Sequence, residues 1–279
     1  MHSLSAAVAI KLGQEAEELC ASGQCAAAAV ALKLAVDLGH LPSRALLAYI
    51  IQQGRAGVAE DCISMIKSIE LVEEGARLGC HHCQGVMAFC YRIGYGCVRD
   101  EARSLALARE SSGKGSRYGQ FYLGYLLEKG QGVKRDLSQA ARLYRLAAAQ
   151  GHDIAQNNLA VMFGDGLYVS GTIVLCQDTA ESVRLFRLAA AQGNAAAQVE
   201  LGVHFKDGKG VQQDDAEAVR LFRLAAAQKD HGAQYLMGQM VEKGLGIQQN
   251  TAEAVEWYRL AGAQHNKGAN EALRRLARS

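Results

Sequence analysis

The sequence predicts an all-α protein in which helix pairs repeat along the chain and stack into an α-α superhelix, or solenoid. Three observations indicate this class. A 36-residue segment recurs in the C-terminal half, alanine and leucine fill its helical patterns, and proline occurs only at Pro42 although glycine occurs 30 times. Scarce proline with abundant glycine is typical of short helices joined by glycine turns, and it argues against collagen-like, mucin-like and disordered classes.

The repeat is plainest in a helical string that begins Arg-Leu and ends Ala-Ala-Ala-Gln. Copies begin at Arg142, Arg184 and Arg220, and a divergent fourth begins at Glu256. The last three starts are 36 residues apart, whereas the first two are 42 apart, so one unit carries a six-residue insertion. Weaker copies upstream bring the prediction to about six to seven antiparallel helix-pair repeats, which must stack because one unit cannot bury its apolar face.

Each unit is predicted to hold two helices joined by a glycine turn. In the first helix a small residue such as Gly124 precedes a bulky one such as Leu127 by three positions, which marks one helix face. The turn reads GQGVKRD or GKGVQQD, where glycine permits positive φ and the final aspartate caps the next helix. The second helix has Ala140 and, four residues later, Tyr144. The small side chain of Ala140 lets the paired helices approach closely.

We expect a single domain over residues 1–279. It comprises a degenerate N-terminal helix pair over 1–40, divergent repeats over 41–118, regular repeats over 119–269 and a capping helix over 270–279. No apolar stretch reaches the roughly 18 residues of a membrane span, and Lys11 and three glutamates interrupt the N-terminus. The chain is therefore expected to be soluble and intracellular, cytoplasmic by default, with no direct membrane insertion. A net charge of +2 argues against nucleic acid as its partner.

These motifs resemble the Sel-one-like repeat family, which is related to the tetratricopeptide repeats. The residues that carry the resemblance are Leu-Gly with a bulky residue three later, the GxGVxxD turn, and the Ala-x-x-x-Tyr/Phe-Arg-x-Ala-Ala-x-Gln-Gly helix. The match is most specific over 119–264, moderate over 44–118 and weak over the first 40 residues. The resemblance implies an α-solenoid that binds or assembles proteins and has no catalytic residues common to the family.

The resemblance also implies that the first helices line a concave groove. Register then predicts these partner-binding residues: Tyr49, Phe89, Tyr118, Phe121, Tyr122, Tyr125, Asn157 and Asn158. Aromatic side chains are suitable anchors for a peptide, and asparagine amides can hold its extended backbone. Two alternatives remain open, because some of the aromatic residues can instead pack between repeats, and Asn158 can be structural.

We expect a non-enzymatic scaffold or adaptor that binds a peptide or protein in this groove. The GxSxG, HExxH, P-loop and dinucleotide motifs do not occur in a suitable context, so the sequence predicts no enzyme and no cofactor. The alternative is a structural subunit of a larger multiprotein assembly, held through its outer surfaces and marked by apolar patches there.

A cysteine cluster raises a further alternative, a metal-binding protein. Four cysteines lie within 18 residues, with two histidines between the first two: Cys80, Cys83, Cys90 and Cys97, with His81 and His82. Zinc would take Cys80, Cys83 and the two histidines. However, Cys90 and Cys97 occupy columns that are apolar in other units, so we expect them to be buried small hydrophobes in a cluster without metal or obligatory disulfide. Cys20 and Cys25 flank a predicted turn, and their oxidation state stays open.

The insertion lies in the turn that reads GDGLYVSGTIVLCQD, from Gly164 to Asp178. Its apolar residues flank Ser170-Gly171-Thr172 like the arms of a short hairpin. Because an isolated hairpin is marginal in water, we expect it to be covered. Either it folds over its own repeat edge, or it contacts a partner chain through residues such as Tyr168.

Two polar patterns are interpreted as structural. His204 is the polar residue in an apolar column of the first helices, and we expect it to be partly buried with a local hydrogen bond rather than a ligand. The paired arginines of the repeat are expected to form an exposed stripe with ion pairs inside each unit. These are Arg142 with Arg145, Arg184 with Arg187, and Arg220 with Arg223.

Overall fold

A computed structural model describes residues 2–53, 62–169 and 172–277, with side chains over 5–53, 68–166 and 176–277. These ranges contain fifteen helices and two short strands. The helices up to the insertion are α1 (His2–Ala21), α2 (Cys25–Asp37), α3 (Leu41–Gln52), α4 (Cys62–Arg77), α5 (His81–Ile93), α6 (Glu101–Gly113), α7 (Arg117–Lys129), α8 (Leu137–Ala149) and α9 (Asp153–Asp165). Those after it are α10 (Thr179–Ala191), α11 (Ala195–Asp207), α12 (Asp215–Ala227), α13 (His231–Lys243), α14 (Thr251–Ala263) and α15 (Lys267–Leu276). None of these helices combines the length and apolar character needed to cross a membrane.

Contacts divide the chain into two compact units. The first unit comprises Met1–Leu159 with Val169–Val174, and the second comprises Ala160–Tyr168 with Leu175–Ser279. Within each unit, odd-numbered first helices pack against the even-numbered second helices that follow them, as α7 does on α8 and α13 on α14. Seven helix pairs follow one another in chain order before α15, which confirms the predicted all-α class of helix-pair repeats. The predicted domain boundaries stay predictions.

The turns and caps follow the predicted chemistry. Gly130 and Gly132 in the turn after α7 both have φ of 68°, a left-handed conformation that favours glycine. At the end of that turn the Asp136 side chain accepts a hydrogen bond of 2.9 Å from the Gln139 amide. The same cap opens the other second helices from α6 onward, at Asp100, Asp178, Asp214 and Asn250. Each cap stabilises its helix by about 1 kcal/mol.

Three glycines at one repeat position of the first helices, Gly124, Gly202 and Gly238, lie against an aromatic ring of the second helix in the same unit. A Cβ atom on Gly124 would lie 3.0 Å from the Tyr144 ring, and one on Gly202 would lie 2.5 Å from the Phe222 ring. The buried Tyr144 hydroxyl donates to Glu128 Oε2 at 2.7 Å, which supplies the partner that a buried hydroxyl requires. The close helix approach predicted from the small residues is therefore confirmed.

His204 takes its predicted structural role, and Arg184 and Arg220 of the arginine stripe form the predicted ion pairs within their units. His204 is half-buried, and its Nδ1 lies 2.7 Å from the carbonyl oxygen of Lys209. The arginines of the stripe are exposed. Arg184 pairs with Glu181 one turn earlier at 2.7 Å, and Arg220 makes the same pair in α12. These i,i+3 pairs stabilise a single helix by a few tenths of a kcal/mol, about 0.2–0.5.

The insertion forms the predicted hairpin. Strands β1 (Leu167–Val169) and β2 (Thr172–Leu175) are hydrogen-bonded to each other in a two-stranded sheet. Asp178 then recovers the capping position, because its side chain accepts from the Glu181 amide at 2.9 Å where α10 begins. The Tyr168 side chain lies outside the described residues, so its contact with a partner stays a prediction.

Candidate partner-binding site

Side chains from three successive first helices line a cavity of about 260 Å³ in the first unit. The six aromatic residues that the sequence predicts for partner binding in α3, α5 and α7 all lie around it: Tyr49, Phe89, Tyr118, Phe121, Tyr122 and Tyr125. Small-molecule pockets typically measure roughly 300–1,000 Å³. The cavity, near the lower end of that range, has room for one large side chain of a partner.

The cavity wall is held together by contacts between rings. The Tyr49 ring centroid lies 5.2 Å from that of Tyr118 and 5.1 Å from that of His152. Phe121 stacks on the other side of this group, with its centroid 4.4 Å from that of His152. Aromatic contacts at such distances contribute about 0.5–1.5 kcal/mol each beyond the area they bury. The wall is therefore largely preorganised before any ligand binds.

Burial divides the aromatic residues into two groups. Tyr118 is 5% exposed and Tyr122 is 2% exposed, so these two rings pack in the core of the first unit. Burial raises the pKa of Tyr122 to about 12, and its hydroxyl lies 3.3 Å from Ser104 Oγ. The other four rings are half-buried and retain surface that a ligand can contact: Tyr49, Phe89, Phe121 and Tyr125.

Sequence reasoning missed His152 and Asp153. His152 lines the cavity, and Asp153 is the hydrogen-bond partner of the cavity residue Tyr49. The Tyr49 hydroxyl donates to Asp153 Oδ1 at 2.6 Å, joining residues 104 positions apart. Asp153 is 2% exposed. Nδ1 of His152 lies 3.3 Å from the Ala155 amide, where it caps α9. Most other first helices begin with serine, asparagine or aspartate at this position, whereas α3 and α9 have a histidine there.

Arg92 is the second residue that sequence reasoning missed. Its guanidinium carbon lies 4.8 Å from the Tyr125 ring centroid, and one terminal nitrogen bonds to the Gln131 side chain. Its buried Nε has no hydrogen-bond partner within the described ranges. No acidic side chain of the described residues forms an ion pair with it. Arg92 also borders an adjoining polar cavity of about 420 Å³, so it presents positive charge at the junction of the two cavities.

The two predicted asparagines do not line the cavity. Asn157 Nδ2 donates to Asn158 Oδ1 at 3.3 Å. Asn158 in turn hydrogen-bonds to the Tyr144 hydroxyl, a bond that lowers the Tyr144 pKa while burial raises it more strongly. Asn158 is thus engaged in holding α9 against α8, as the structural alternative for this residue expects. Their role in partner binding stays a prediction.

The cysteine cluster is mostly enclosed. Cys90 is fully buried, and burial raises its pKa to about 12. Cys97 is only half-buried, which corrects the expectation of a core residue, because it lies in the exposed turn after α5. In the ranges whose side chains are described, no three histidine, cysteine or acidic residues are grouped to hold a metal ion. The seven cysteines described there are free thiols.

The chain matches one family model and is similar to several solved structures. The Sel1 repeat model matches five consecutive segments, residues 81–116, 117–152, 153–194, 195–230 and 231–266. The third segment is longer than the others and contains the hairpin. Among solved structures, a Sel1 repeat protein from Oxalobacter formigenes is 22% identical, with a TM-score of 0.63, over 82% of this chain and 86% of that one.

Two further solved structures have lower TM-scores. Immunity protein Pa5087 from Pseudomonas aeruginosa is 17% identical, with a TM-score of 0.50, over 80% of this chain and 81% of its own. Protein c5321, a protective antigen of uropathogenic Escherichia coli with an SLR fold, is 25% identical, with a TM-score of 0.49, over 90% of this chain and 59% of its own. None of the curated proteins compared with the chain matches it. The likeness to the Oxalobacter protein is one of fold.

Proposed function

Because the chain belongs to the Sel1 repeat family, we propose that it is a non-catalytic scaffold whose first unit binds a partner protein in the aromatic cavity. Sel1 repeat proteins generally mediate contacts between proteins. The observation that carries the finer proposal is the cavity itself, where half-buried aromatic rings from three successive units surround a space for one side chain. Binding anchors of this kind are typically aromatic and lie in preformed pockets.

The charge at the cavity rim favours a particular class of partner segment. Arg92 is a cation without an acidic partner in the described structure, and it belongs to a lining that is mainly aromatic and aliphatic. A guanidinium next to a desolvated surface binds a carboxylate more strongly than it does in open water. We therefore expect a segment that places an apolar side chain in the cavity and a carboxylate against Arg92.

Capture with variants of the cavity tests this proposal. Phe89→Ala and Tyr125→Ala remove half-buried rings, and each should weaken binding of the captured partner by about 1 kcal/mol or more. Phe205→Ala removes a half-buried phenylalanine from the second unit and is the matched control. Partners are identified by mass spectrometry with the wild-type chain as bait, and the purified partner is then titrated against each variant. Equal affinity for all three variants, with helical content retained, would contradict the proposal.

A second candidate function has its own observation, an apolar stripe on the second helices. Leu188, Leu224 and Leu260 occupy the same repeat position in the second unit and are 42%, 43% and 52% exposed. Because they recur at one repeat position, these leucines lie on the same face of successive second helices. An outer surface that binds other subunits of an assembly would require such an exposed apolar face. Triple replacement by glutamine should release the chain from such an assembly, as measured by size-exclusion chromatography of cell extract, and should leave cavity binding unchanged.

A further inference from the structure

Cys80 and Cys83 open α5 with a pattern that the other units do not share. Cys80 is the residue that precedes the helix, and Cys83 is its third residue. At the position of Cys80, five other first helices carry a polar side chain that accepts a hydrogen bond from the amide three residues on, at 2.7–3.4 Å: Ser116, His152, Asn194, Asp230 and Asn266. Cysteine thus stands where most first helices have a hydrogen-bond acceptor.

A neutral thiol is a poor acceptor, and Cys80 makes no such capping bond. The first turn of α5 also contains no acidic residue that would offset the partial positive charge of the helix N-terminus. A thiolate at Cys80 would meet both needs, because it is an anion and a strong acceptor. The local structure therefore favours ionisation of this thiol over that of an ordinary cysteine.

The surroundings separate the two thiols. The neighbouring Cys83 thiol lowers the pKa of Cys80, with help from the amides of Cys83 and His82 and the charge of Arg44, against the opposing effect of burial. The Cys83 thiol lies 3.7 Å from the carbonyl oxygen of Leu41, and the proximity of Cys80 together with burial raises the pKa of Cys83. Cys83 is fully buried, whereas Cys80 retains 7% exposure. One thiol is thus favoured as the anion with slight access to solvent, and its neighbour stays protonated and enclosed.

We propose that Cys80 and Cys83 form a reversible oxidation site, at which a hydroperoxide oxidises Cys80 and Cys83 closes a disulfide. The Cys80 thiolate attacks one peroxide oxygen, the O–O bond breaks, and the second oxygen leaves as water after taking a proton. The Cys83 sulfur then attacks the sulfenic acid of Cys80, and its oxygen leaves as water with the Cys83 proton. Two thiols and one hydrogen peroxide give one disulfide and two waters. The small exposure of Cys80 favours a small oxidant, and a dithiol reductant reverses the reaction.

Oxidation of the full-length reduced protein tests this site directly. The chain is treated with equimolar hydrogen peroxide, alkylated with N-ethylmaleimide and analysed by intact and peptide mass spectrometry. We expect loss of two alkylated thiols, a linked Cys80–Cys83 peptide, and recovery of both thiols with dithiothreitol. From pH 8 to pH 6 an ordinary thiol reacts about 100-fold more slowly. The rate at Cys80 should fall far less than that.

Variants assign the roles of the two thiols. Cys83→Ser should stop at a sulfenic acid on Cys80, trapped by dimedone, and Cys83→Ala serves if the serine variant does not fold. Cys90→Ser removes a fully buried thiol of the same cluster and should leave the disulfide yield unchanged. The proposal is overturned if exposed Cys176 is oxidised while Cys80 and Cys83 remain alkylated, if Cys80 links to another cysteine, or if its rate falls about 100-fold across that pH range.

Discussion

Helices α7 of the first unit and α11 of the second share a frame of caps and glycines but differ at four other matched positions. Both are thirteen residues long, begin at a capping side chain and end at a glycine with positive φ. Both place a glycine against the ring of the following helix, at Gly124 and Gly202. At four matched positions, however, α7 has Tyr118, Phe121, Tyr122 and Tyr125 where α11 has Ala196, Val199, Glu200 and Val203.

This difference separates residues that recur in both units from residues that shape the cavity of the first unit. The column of Gly124 and Gly202 keeps small residues, including Ala88 and Ala160, because a close helix approach leaves little room for a side chain there. The other four columns are not constrained in that way, so their side chains can vary between units. Aromatic residues in these columns of α7, together with those of α3 and α5, give the first unit its cavity.

The largest expected effect comes from breaking the shared frame. Phe222 is fully buried against Gly202, so Phe222→Ala should lower the free energy of unfolding by about 3–5 kcal/mol, in line with buried aromatic truncations. Urea denaturation followed by circular dichroism measures it. Phe89→Ala removes the same side chain from a half-buried cavity position and should cost clearly less stability. Equal losses for the two variants would contradict the division between frame and binding residues.

A smaller effect should come from two turns that depart from the repeat. Lys229 and His265 have φ of 66° and 64°, where most other units have glycine, as at Gly193. An L-residue in this conformation costs about 1 kcal/mol relative to glycine. Lys229→Gly and His265→Gly should therefore each raise the free energy of unfolding by about that amount, and Gly193→Lys should lower it by a similar amount. Unchanged or lower stability in the two glycine variants would show that these turns carry no strain.

A third effect should appear in the pH dependence of stability. Burial, with the neighbouring His81 and Arg117 charges, lowers the pKa of His82 from 6.5 to about 4. Between these values the unfolded chain takes up a proton that the native state does not, so stability should fall as the pH drops from 6.5 towards 4. Denaturant midpoints across this range should show the fall, and His82→Asn should reduce the slope. An equal slope in the variant would assign the effect to other groups.

Much of the fold follows from the sequence because its determinants are local and repeated. The glycine turns, the caps of the second helices such as Asp136, and the hairpin each depend on a few adjacent residues. The six cavity aromatics follow from register along the first helices. His152 and Arg92 could not be found this way, because they belong to the site through side-chain contacts with residues distant in sequence, which register along one helix does not give. The hydrogen bond from Tyr49 to Asp153, across 104 residues, is another such contact.

The central claim is that the first unit binds partners through repeat positions that do not bind them in the second unit. Site-specific photocrosslinking tests this claim most directly. A benzophenone amino acid is placed at Tyr125 or at Val203, which share the same repeat position and are both half-buried. We expect a discrete crosslinked partner from position 125 and none from position 203, with the 125 product lost when Phe89→Ala is added. The same partner captured equally at both positions, or at position 203 alone, would contradict the account.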